Sequence, residues 1–375
     1  MKVPYNYLPM QFKDTKNIFN EWKKLIKSTD FTLGKYVSMF EKKFSNSIEM
    51  KYCISTNNGT DALILSLKSI GIKKGDEVIT VTNTFYATVG AILAVGATPV
   101  FVDCDDRFQI DHNKIENVIS KKTKVILPVH WGGSSPNMKK IINIAKRYNI
   151  KVVEDACMGI GASINNKSPG TFGICNAFSM HPLKTLNVMG DGGMVVTNNS
   201  KLARWMLKYR NHGMIDRNNI EFWGINMRLQ PLQAIVAMNE LKTIKSIVAK
   251  RNLNASLLDK ALAKLHPLIV LPERPKGNVE SFALYMCLAE DRNELLKFLN
   301  QKNIEAKIHY PKPLHLQKAS SIFRYKKGDF PVSEFQADRI ITLPVHQYLS
   351  KRQIEFIISQ IFYFYKKKSK KIRIF

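Results

Sequence analysis

The sequence predicts an α/β fold in which a mostly parallel sheet lies between helices, followed by a smaller C-terminal α+β domain. Between residues 51 and 155, short apolar runs alternate with helix-patterned segments. The runs are apolar almost throughout, which is typical of strands covered on both faces and hence of a parallel sheet. After about residue 250 this alternation ends. We therefore predict a large domain over residues 1–249, including an N-terminal helical segment, and a small domain over residues 250–375.

The first fifty residues are predicted to be mostly helical. Two helices are expected, separated by the turn Thr32-Leu-Gly-Lys35. Their apolar side chains recur at helical spacing: Phe19, Trp22, Leu25 and Ile26 in the first helix, and Val37, Phe40 and Phe44 in the second.

The alternating region supplies the strands and helices of the large domain. Strands are expected at 52–55, 78–82, 98–103 and 124–130, in a run ending at residue 155, and on either side of the segment 177–193. Helices are expected from residue 62, over 85–95 and over 138–146. In the small domain, strands are expected at 268–272 and 282–288, and helices at 294–300 and 351–365.

Composition and charge narrow the class of protein. A hydrophobic content of 45% and a charged content of 23% are those of a globular chain. The net charge of +27 would suit nucleic-acid binding, but the lysines are spread along the chain without a binding motif. Only the tail, residues 365–373, is densely basic. We expect a solvated lysine-rich surface, with attraction of an anionic substrate or an acidic membrane surface as the alternatives.

Cysteine usage and apolar run length indicate the compartment. The five cysteines are scattered and lack the spacing of a zinc site or a disulfide framework, which favours a reducing cytosol. No apolar stretch is long enough for a signal core or a membrane span. A soluble cytoplasmic protein is expected.

Two residues suggest carbonyl chemistry. Lys184 lies in a segment with few other charges, and a lysine held away from water has a lowered pKa and can attack carbonyl groups. Asp155 ends a β-branched run. Pyridoxal 5'-phosphate (PLP) needs this pair, a lysine for the Schiff base and an acid for its pyridinium nitrogen. Taken singly, each has a plainer interpretation, a lysine at a loop mouth and an acid that caps a strand.

Four further residues complete such a site. Gly59 and Thr60 open a helix directly after a strand, where free N–H groups and the helix dipole favour a phosphate, although Thr60 could serve only as an N-cap. Phe85 begins the next helix and could cover a cofactor ring, or be an ordinary core aromatic. Ser179 could add a phosphate-binding hydroxyl. Ligands in parallel α/β sheets bind at the carboxyl ends of strands, where these residues are expected.

Along nearly its whole length, the chain resembles the nucleotide-sugar aminotransferases of PLP fold type I, the DegT/StrS-like family. The matching segments include Asn58-Gly-Thr-Asp-Ala-Leu63, Asn83-Thr-Phe85, Pro128-Val-His130, Glu154-Asp-Ala156, Ser179-Met-His-Pro-Leu-Lys184, Gly190-Asp-Gly-Gly193, Arg210-Asn-His-Gly213, Asn226-Met-Arg-Leu-Gln230, His309-Tyr-Pro-Lys-Pro-Leu-His315 and Leu343-Pro-Val-His346.

The resemblance implies a role for each site residue. Lys184 would form the Schiff base and carry the proton, and Asp155 would pair with the pyridinium nitrogen. Phe85 would stack on the ring, while Gly59, Thr60 and Ser179 would hold the phosphate. Asn226 would reach the partner's cofactor phosphate across a homodimer interface, and the alternative is an Asn that caps the following helix. Candidates for substrate contact are Arg228, His309, Tyr310 and His315.

One position departs from the family pattern. Three residues after the ring acid the family usually carries Gln or His near the phenolic oxygen of PLP, and this chain has Met158, which cannot donate a hydrogen bond. Either another donor serves, or the pKa of the Schiff base is shifted. Lys184 itself argues against the branch of the family in which histidine replaces the lysine.

These observations predict a PLP-dependent aminotransferase. The expected reaction moves an amino group from L-glutamate to a keto sugar carried on a nucleotide, at the third carbon more than the fourth, for polysaccharide, lipopolysaccharide or antibiotic sugar synthesis. The alternatives are a non-catalytic regulatory or scaffold protein on the same fold, and a basic nucleic-acid or membrane-surface binder. The intact lysine and acid pair disfavours the first, and only charge supports the second.

Overall fold

The structure is a computed structural model that describes residues 1–372, so the end of the basic tail, from Arg373, lies outside the described residues. In chain order its strands are β1 Tyr52–Thr56, β2 Glu77–Val81, β3 Thr98–Val102, β4 Thr123–Ile126, β5 Lys151–Val152, β6 Ser163–Ile164, β7 Asn176–Ser179, β8 Gly193–Thr197, β9 Ile269–Val270, β10 Asn278–Val279, β11 Tyr285–Ala289 and β12 Ile340–Leu343. The α-helices are α1 Leu8–Gln11, α2 Lys16–Ser28, α3 Gly34–Ser47, α4 Gly59–Ser69, α5 Tyr86–Ala94, α6 Met138–Arg147, α7 Ser200–Tyr209, α8 Pro231–Leu241, α9 Ile244–Leu262, α10 Arg292–Gln301, α11 Pro331–Arg339 and α12 Lys351–Ile372.

The main sheet confirms the predicted α/β class. Strands β3, β2, β4 and β5 lie side by side and pair in parallel. Backbone bridges from Asp155 to Val129 and to Ala177 continue the parallel pattern to β7. Strand β8 then runs antiparallel to both β7 and β1. The carboxyl ends of the parallel strands therefore meet along one edge, and Asp155 lies in the middle of it.

Two apolar layers cover this sheet. One contains the inner faces of α4, α5 and α6, and the other contains α3 and α8 together with Ile18 and Leu25 of α2. The helix predicted around Phe19 is present, but Phe19 and Ile26 are 52% and 60% exposed. Helical spacing identified α2 correctly, while the side of α2 that is covered depends on α3 and α8, which the local pattern does not show.

The small sheet contains β12, β11 and β9 in antiparallel pairing. Its apolar cluster includes side chains from the second half of α9, from α10 and α12, and Val3 from the N-terminal segment. The predicted domain boundary at residue 250 falls inside α9 and stays a prediction. Strand β11 begins at Tyr285, later than predicted, because Ser281 and Leu284 donate their N–H groups to the carbonyls of Gly133 and Gly132 instead.

A buried carboxylate fixes the backbone beneath the edge of the main sheet. Glu154 is fully buried, and its oxygens accept hydrogen bonds from the backbone N–H groups of Gly170, Phe172 and Gly173 at 2.6–2.8 Å. The Nε2 of His130 lies 2.8 Å from the same carboxylate. Several donors therefore converge on one buried group, which orders the loop at 170–173 and the strand that carries Asp155.

Glu154→Gln is expected to lower the free energy of unfolding by about 2 to 4 kcal/mol, because the new amide N–H₂ would face backbone N–H donors in a buried site. Chemical denaturation at neutral pH measures this. The control is Glu116→Gln, which removes a largely exposed ion pair to Arg147 and should change stability by less than about 1 kcal/mol. Equal losses in the two variants would contradict the assigned role of Glu154.

Within residues 1–372, none of the helices combines the length and apolar character that a bilayer crossing requires.

Candidate active site

A cavity of about 500 Å³ opens at the carboxyl edge of the parallel strands. Loops that follow β1, β2, β4 and β7 form one side of it, and residues around 282–285, 309–310 and 343–346 form the other. Nine of the twelve predicted site residues line this cavity: Gly59, Thr60, Phe85, Asp155, Met158, Ser179, Lys184, His309 and Tyr310. Asn226, Arg228 and His315 do not belong to its lining within this chain.

Lys184 lies in the cavity wall, in the turn between β7 and β8. Its backbone N–H donates to the His181 carbonyl at 3.0 Å, and its own carbonyl accepts from Tyr7 Oη and from Asn187 Nδ2, each at 3.0 Å. Desolvation lowers the pKa of the Lys184 amine, and the nearby Cys157 and Asp155 oppose this shift. The amine is thus more readily neutral than an exposed lysine and better suited to attack a carbonyl group.

Asp155 is an acid held by neutral donors. It is 5% exposed, Thr88 Oγ1 donates to its Oδ2 at 2.8 Å, and the Cys157 N–H donates to its Oδ1 at 3.2 Å. Lys184 is close enough to interact electrostatically with it, but no Lys, Arg or His within residues 1–368 forms an ion pair with it. A protonated ring nitrogen is a suitable partner for a buried carboxylate that forms no ion pair. The plainer interpretation, an acid that only caps a strand, does not explain why it lines the cavity.

The start of α4 forms a cradle for an anion. Asn58 caps the helix by accepting the Asp61 N–H at 2.8 Å, so Thr60 is not the N-cap. Within the described residues, the N–H groups of Gly59 and Thr60 have no acceptor. A Cβ at Gly59 would lie 2.7 Å from Ser179 Cβ, so only glycine allows the helix to approach Ser179 this closely. Free N–H groups beside a serine hydroxyl suit a phosphate.

Aromatic side chains form one wall of the cavity. Phe85 precedes α5 and is 47% exposed, so it is not a core aromatic. Its ring lies 5.4 Å from that of Tyr86 and 6.4 Å from that of Tyr310, and Tyr310 in turn lies 5.7 Å from Trp131. A flat ring could stack on the free face of Phe85.

His309 faces the same cavity as a neutral side chain. Its Nδ1 lies 3.0 Å from Thr342 Oγ1. Burial, with smaller contributions from Lys184 and Lys307, lowers the pKa of His309 to about 4. Burial also raises the pKa of Tyr310 to about 12. Both side chains are therefore uncharged at pH 7 and can exchange hydrogen bonds with hydroxyl groups.

Asn226 and Arg228 lie on an exposed loop outside the cavity. Asn226 Oδ1 accepts from Arg228 Nε at 3.0 Å, and Arg228 Nη1 donates to Asn211 Oδ1 at 2.9 Å. Helix α8 begins at Pro231 with Gln230 as its cap residue, so Asn226 does not cap it. The capping alternative is therefore wrong, and the role across a dimer interface stays a prediction.

His315 packs away from the cavity. Its side chain is buried, Nε2 lies 3.0 Å from Glu334 Oε1, and its ring meets the ring of Phe330 at a centroid distance of 4.7 Å. These contacts supply a structural role for His315, and they leave His309 and Tyr310 as the predicted substrate residues that line the cavity.

Comparison with known proteins connects this geometry to a family. The profile of the DegT/DnrJ/EryC1/StrS aminotransferase family matches residues 13–362. The chain belongs to this aminotransferase family. The prediction of an aminotransferase on this fold is thereby confirmed.

Individual relatives share nearly the whole length. The chain is 35% identical over 369 residues to a pleiotropic regulatory protein of Geobacillus stearothermophilus, covering 98% of this chain and 99% of that protein. It is 35% identical over 347 residues to dTDP-3-amino-3,6-dideoxy-alpha-D-galactopyranose transaminase of Aneurinibacillus thermoaerophilus, covering 92% and 94%. The crystal structure of ntda from Bacillus subtilis with bound cofactor PMP superposes with a TM-score of 0.90 at 30% identity, covering 96% of this chain and 85% of that one.

Sequence reasoning missed several residues of this aminotransferase cavity. Tyr7 donates to the Lys184 carbonyl and accepts from Arg251 Nη2 at 2.9 Å, which connects the N-terminal segment and α9 to the turn that carries Lys184. Trp131 and Cys157 also line the cavity. Tyr7 and Arg251 lie 244 positions apart, so no local pattern pairs them. Trp131 directly follows the Pro128-Val-His130 motif, and this adjacency is the only indication of its place that the sequence contains.

Proposed function

We propose that this aminotransferase uses PLP to move an amino group from L-glutamate to the third carbon of a keto sugar carried on a nucleotide. The observation that carries the proposal is the presence in one cavity of Lys184, whose pKa is lowered by burial, and of Asp155, a buried carboxylate close enough to interact electrostatically with that amine. The donor set fits PLP, with the cradle of Gly59, Thr60 and Ser179 for its phosphate and Phe85 for its ring face. When bound, PLP supplies an aldehyde and an electron-withdrawing ring.

Each side chain of the cavity has its own role in the proposed reaction. Lys184 would hold the cofactor through its aldehyde, and its amine would carry a proton to and from the reacting carbon. Asp155 would hold the ring nitrogen in its protonated form, and Thr88, which donates to Asp155, would orient that carboxylate. His309 and Tyr310 bind sugar hydroxyls as neutral groups. The hydrophobic surroundings of the amine, Cys157 among them, limit its hydration.

A substrate panel tests the acceptor. The support for a third-carbon keto sugar is the pair of segments at 58–61 and 190–193, and the transaminase from Aneurinibacillus thermoaerophilus, whose name contains a 3-amino sugar. Purified protein with PLP and L-glutamate should aminate 3-keto sugars on dTDP or UDP faster than 4-keto sugars, as measured by mass spectrometry of the product. Faster turnover of the 4-keto panel would overturn the choice of carbon. The product would enter polysaccharide, lipopolysaccharide or antibiotic sugar synthesis.

A non-catalytic regulatory protein is the second candidate, favoured by the name of the relative from Geobacillus stearothermophilus. L-glutamate alone separates the two functions. A transaminase transfers the amino group of glutamate to PLP even when the sugar is absent, so the visible absorption of the cofactor should shift when glutamate is added. A PLP-loaded protein whose spectrum does not change when glutamate is added would favour the regulatory role.

The cytoplasm is the proposed compartment, supported by five cysteines without disulfide partners.

We also propose a homodimer in which each site uses both chains. The loop that carries Asn226 exposes apolar side chains, with Trp223 86% and Ile225 48% exposed. Isolated surface residues of this size are common, but a group on one loop is typical of a contact surface. A partner that covered this loop would bring Asn226 toward the cofactor phosphate of the other chain.

Mixing two inactive variants tests this arrangement. Lys184→Ala and Asn226→Ala chains are co-refolded in equal amounts, so half the dimers are mixed and each mixed dimer has one intact site. Activity should recover to about one quarter of wild type. Arg217→Ala, on the same exposed loop, replaces Asn226→Ala in the control and should give wild-type activity alone. Absence of recovery, with mixed dimers confirmed by native mass spectrometry, would show that Asn226 acts within its own chain.

A further inference from the structure

Tyr5 brings to the cavity wall a hydroxyl group that the described chain does not use. The residue lines the cavity and is partly exposed. Its Oη has no hydrogen-bond partner within residues 1–368, yet the atom is not enclosed. The groups close enough to interact with it electrostatically are Arg251, Tyr7 and Tyr310, and all three belong to the cavity lining. The hydroxyl therefore opens toward the cavity and is available to a bound molecule.

The backbone fixes the position of this hydroxyl. The Val3 N–H donates to the Asn303 carbonyl at 2.8 Å, and the Val3 carbonyl accepts from the Glu305 N–H at 3.0 Å. The Tyr5 N–H donates to Glu305 Oε2 at 2.9 Å. The Tyr5 ring then stacks on the ring of His309 at a centroid distance of 6.1 Å and an angle of 24°. Tyr5 is thus held in the same wall as a predicted substrate residue.

A buried positive charge lies behind this wall. Arg251 is 1% exposed, and its side chain donates at 2.9–3.1 Å to three neutral acceptors, the oxygens of Gln347, Phe282 and Tyr7. Within residues 1–368, no carboxylate forms an ion pair with it. The covered guanidinium does not itself touch a bound molecule, but its charge acts on the Tyr5 hydroxyl. A buried cation without a counterion favours an anion nearby.

The position of Tyr5 along the wall indicates which anion fits. Lys184 acts electrostatically on His309, whereas the cation that acts on Tyr5 is Arg251. We therefore place His309 nearer the reactive amine and Tyr5 farther from it. L-glutamate carries one carboxylate on the carbon that bears its amino group and another at the end of its side chain. A hydroxyl distant from the amine suits the second.

Burial makes this hydroxyl a donor at neutral pH. It raises the pKa of Tyr5, and Arg251 opposes the shift only in part, so the phenol stays protonated. An O–H group that donates to a carboxylate forms one of the stronger hydrogen bonds in proteins.

We infer that the Tyr5 hydroxyl donates a hydrogen bond to the side-chain carboxylate of the amino donor, L-glutamate, and so selects this donor over amino acids without a terminal carboxylate. The inference rests on the proposed function, since the donor reacts in the same cavity. Arg251 supports the contact through its charge. The donor and the sugar occupy the cavity in turn, so His309 and Tyr310 stay available to the sugar. Tyr5 is then a specificity-determining residue.

Tyr5→Phe tests this, because it keeps the ring that stacks on His309 and removes the hydroxyl. Full-length protein loaded with PLP is titrated with L-glutamate in the absence of sugar, and the change in visible absorption gives the half-saturating concentration. That concentration should rise roughly 10-fold or more, since a hydrogen bond to a charged group is lost. In L-norvaline a methyl group replaces the terminal carboxylate, so its half-saturating concentration should be the same in wild type and Tyr5→Phe.

Tyr363→Phe is the matched control. Tyr363 lies on α12, is 51% exposed and stacks on Phe298 at a centroid distance of 6.1 Å and an angle of 22°, outside the cavity lining. Removal of its hydroxyl should change neither titration.

The outcomes separate the inference from the proposed function. A wild-type protein that shows no visible band with PLP, or whose band does not respond to L-glutamate, would refute the proposed function. Where that response is present, an unchanged half-saturating concentration of L-glutamate in Tyr5→Phe would overturn the inference alone. An equal rise for L-glutamate and L-norvaline would also overturn it, because the hydroxyl would then not act on the terminal carboxylate.

If Tyr5→Phe does not fold, the wild-type protein decides. It should be half-saturated at a concentration of L-glutamate roughly 10-fold or more below that of L-norvaline. Equal values for the two amino acids would overturn the inference.

Discussion

Lys184→Ala is expected to give a folded protein that binds PLP without a covalent link and loses transamination by a factor of about 10³ or more, because both the nucleophile and the proton carrier are removed. After borohydride reduction, wild-type protein should carry the cofactor mass on the peptide that contains Lys184. The variant should carry it nowhere. The turn should persist, since its hydrogen bonds to Tyr7 and Asn187 use the backbone carbonyl of residue 184.

The control for this experiment is Lys140→Ala, an exposed lysine on α6 that should label and turn over like wild type. Attachment of the reduced cofactor to any other lysine would refute the assignment. A second readout comes from stability. Burial lowers the pKa of Lys184 in the folded state, so the unfolded chain binds that proton more tightly. The free energy of unfolding of the cofactor-free protein should therefore rise with pH up to the ordinary value of 10.5, and less so in the variant.

Asp155→Asn is expected to retain PLP but to lower turnover about 10²- to 10⁴-fold, because a neutral amide cannot hold the ring nitrogen protonated. Thr88 Oγ1 can still donate to the amide oxygen, so the geometry should change little. Single-turnover kinetics with L-glutamate measure the loss directly. The bound fraction of PLP, measured by absorption, shows that binding survives.

The matched control is Asp103→Asn, another buried aspartate that follows a parallel strand. Asp103 accepts hydrogen bonds from Ser333 and Cys104 and lies outside the cavity lining. Its variant should be less stable yet turn over normally per folded molecule. Wild-type rates in Asp155→Asn would exclude the proposed role of Asp155 in keeping the ring nitrogen protonated.

The parts of the site that the sequence predicted are those determined locally. Lys184, Asp155 and Gly59 each lie three to five residues after the end of a strand, and parallel strands bring their carboxyl ends together at one edge of the sheet. Phe85 was predicted for the same reason. A local pattern was enough because the sheet topology supplied the rest.

The residues whose surroundings the sequence could not predict are those whose partners lie far away along the chain. His315 is of a residue type that is common in active sites, and prolines lie near it in the sequence. Its side chain instead pairs with Glu334, which lies nineteen positions later in the chain, on α11. Tyr7 reaches Lys184 across 177 positions. The buried indole N–H of Trp131 has no acceptor within residues 1–368, and this can be seen only when the positions of all its neighbours are known.

The N-terminal segment that reaches the cavity also bears on how the protein is made. Val3 forms a bridge with Ile304, and the Pro4 carbonyl lies 2.9 Å from His346 Nε2. A ribosome adds roughly 5 to 20 residues per second, so Val3 and Pro4 wait roughly 20 to 70 s for these partners to be synthesised. During synthesis the strand ends of the large sheet can assemble while the wall around Tyr7 is still missing. The cavity is therefore completed only after residue 346 has been synthesised, and a nascent chain that stops before residue 346 lacks this part of the cavity wall.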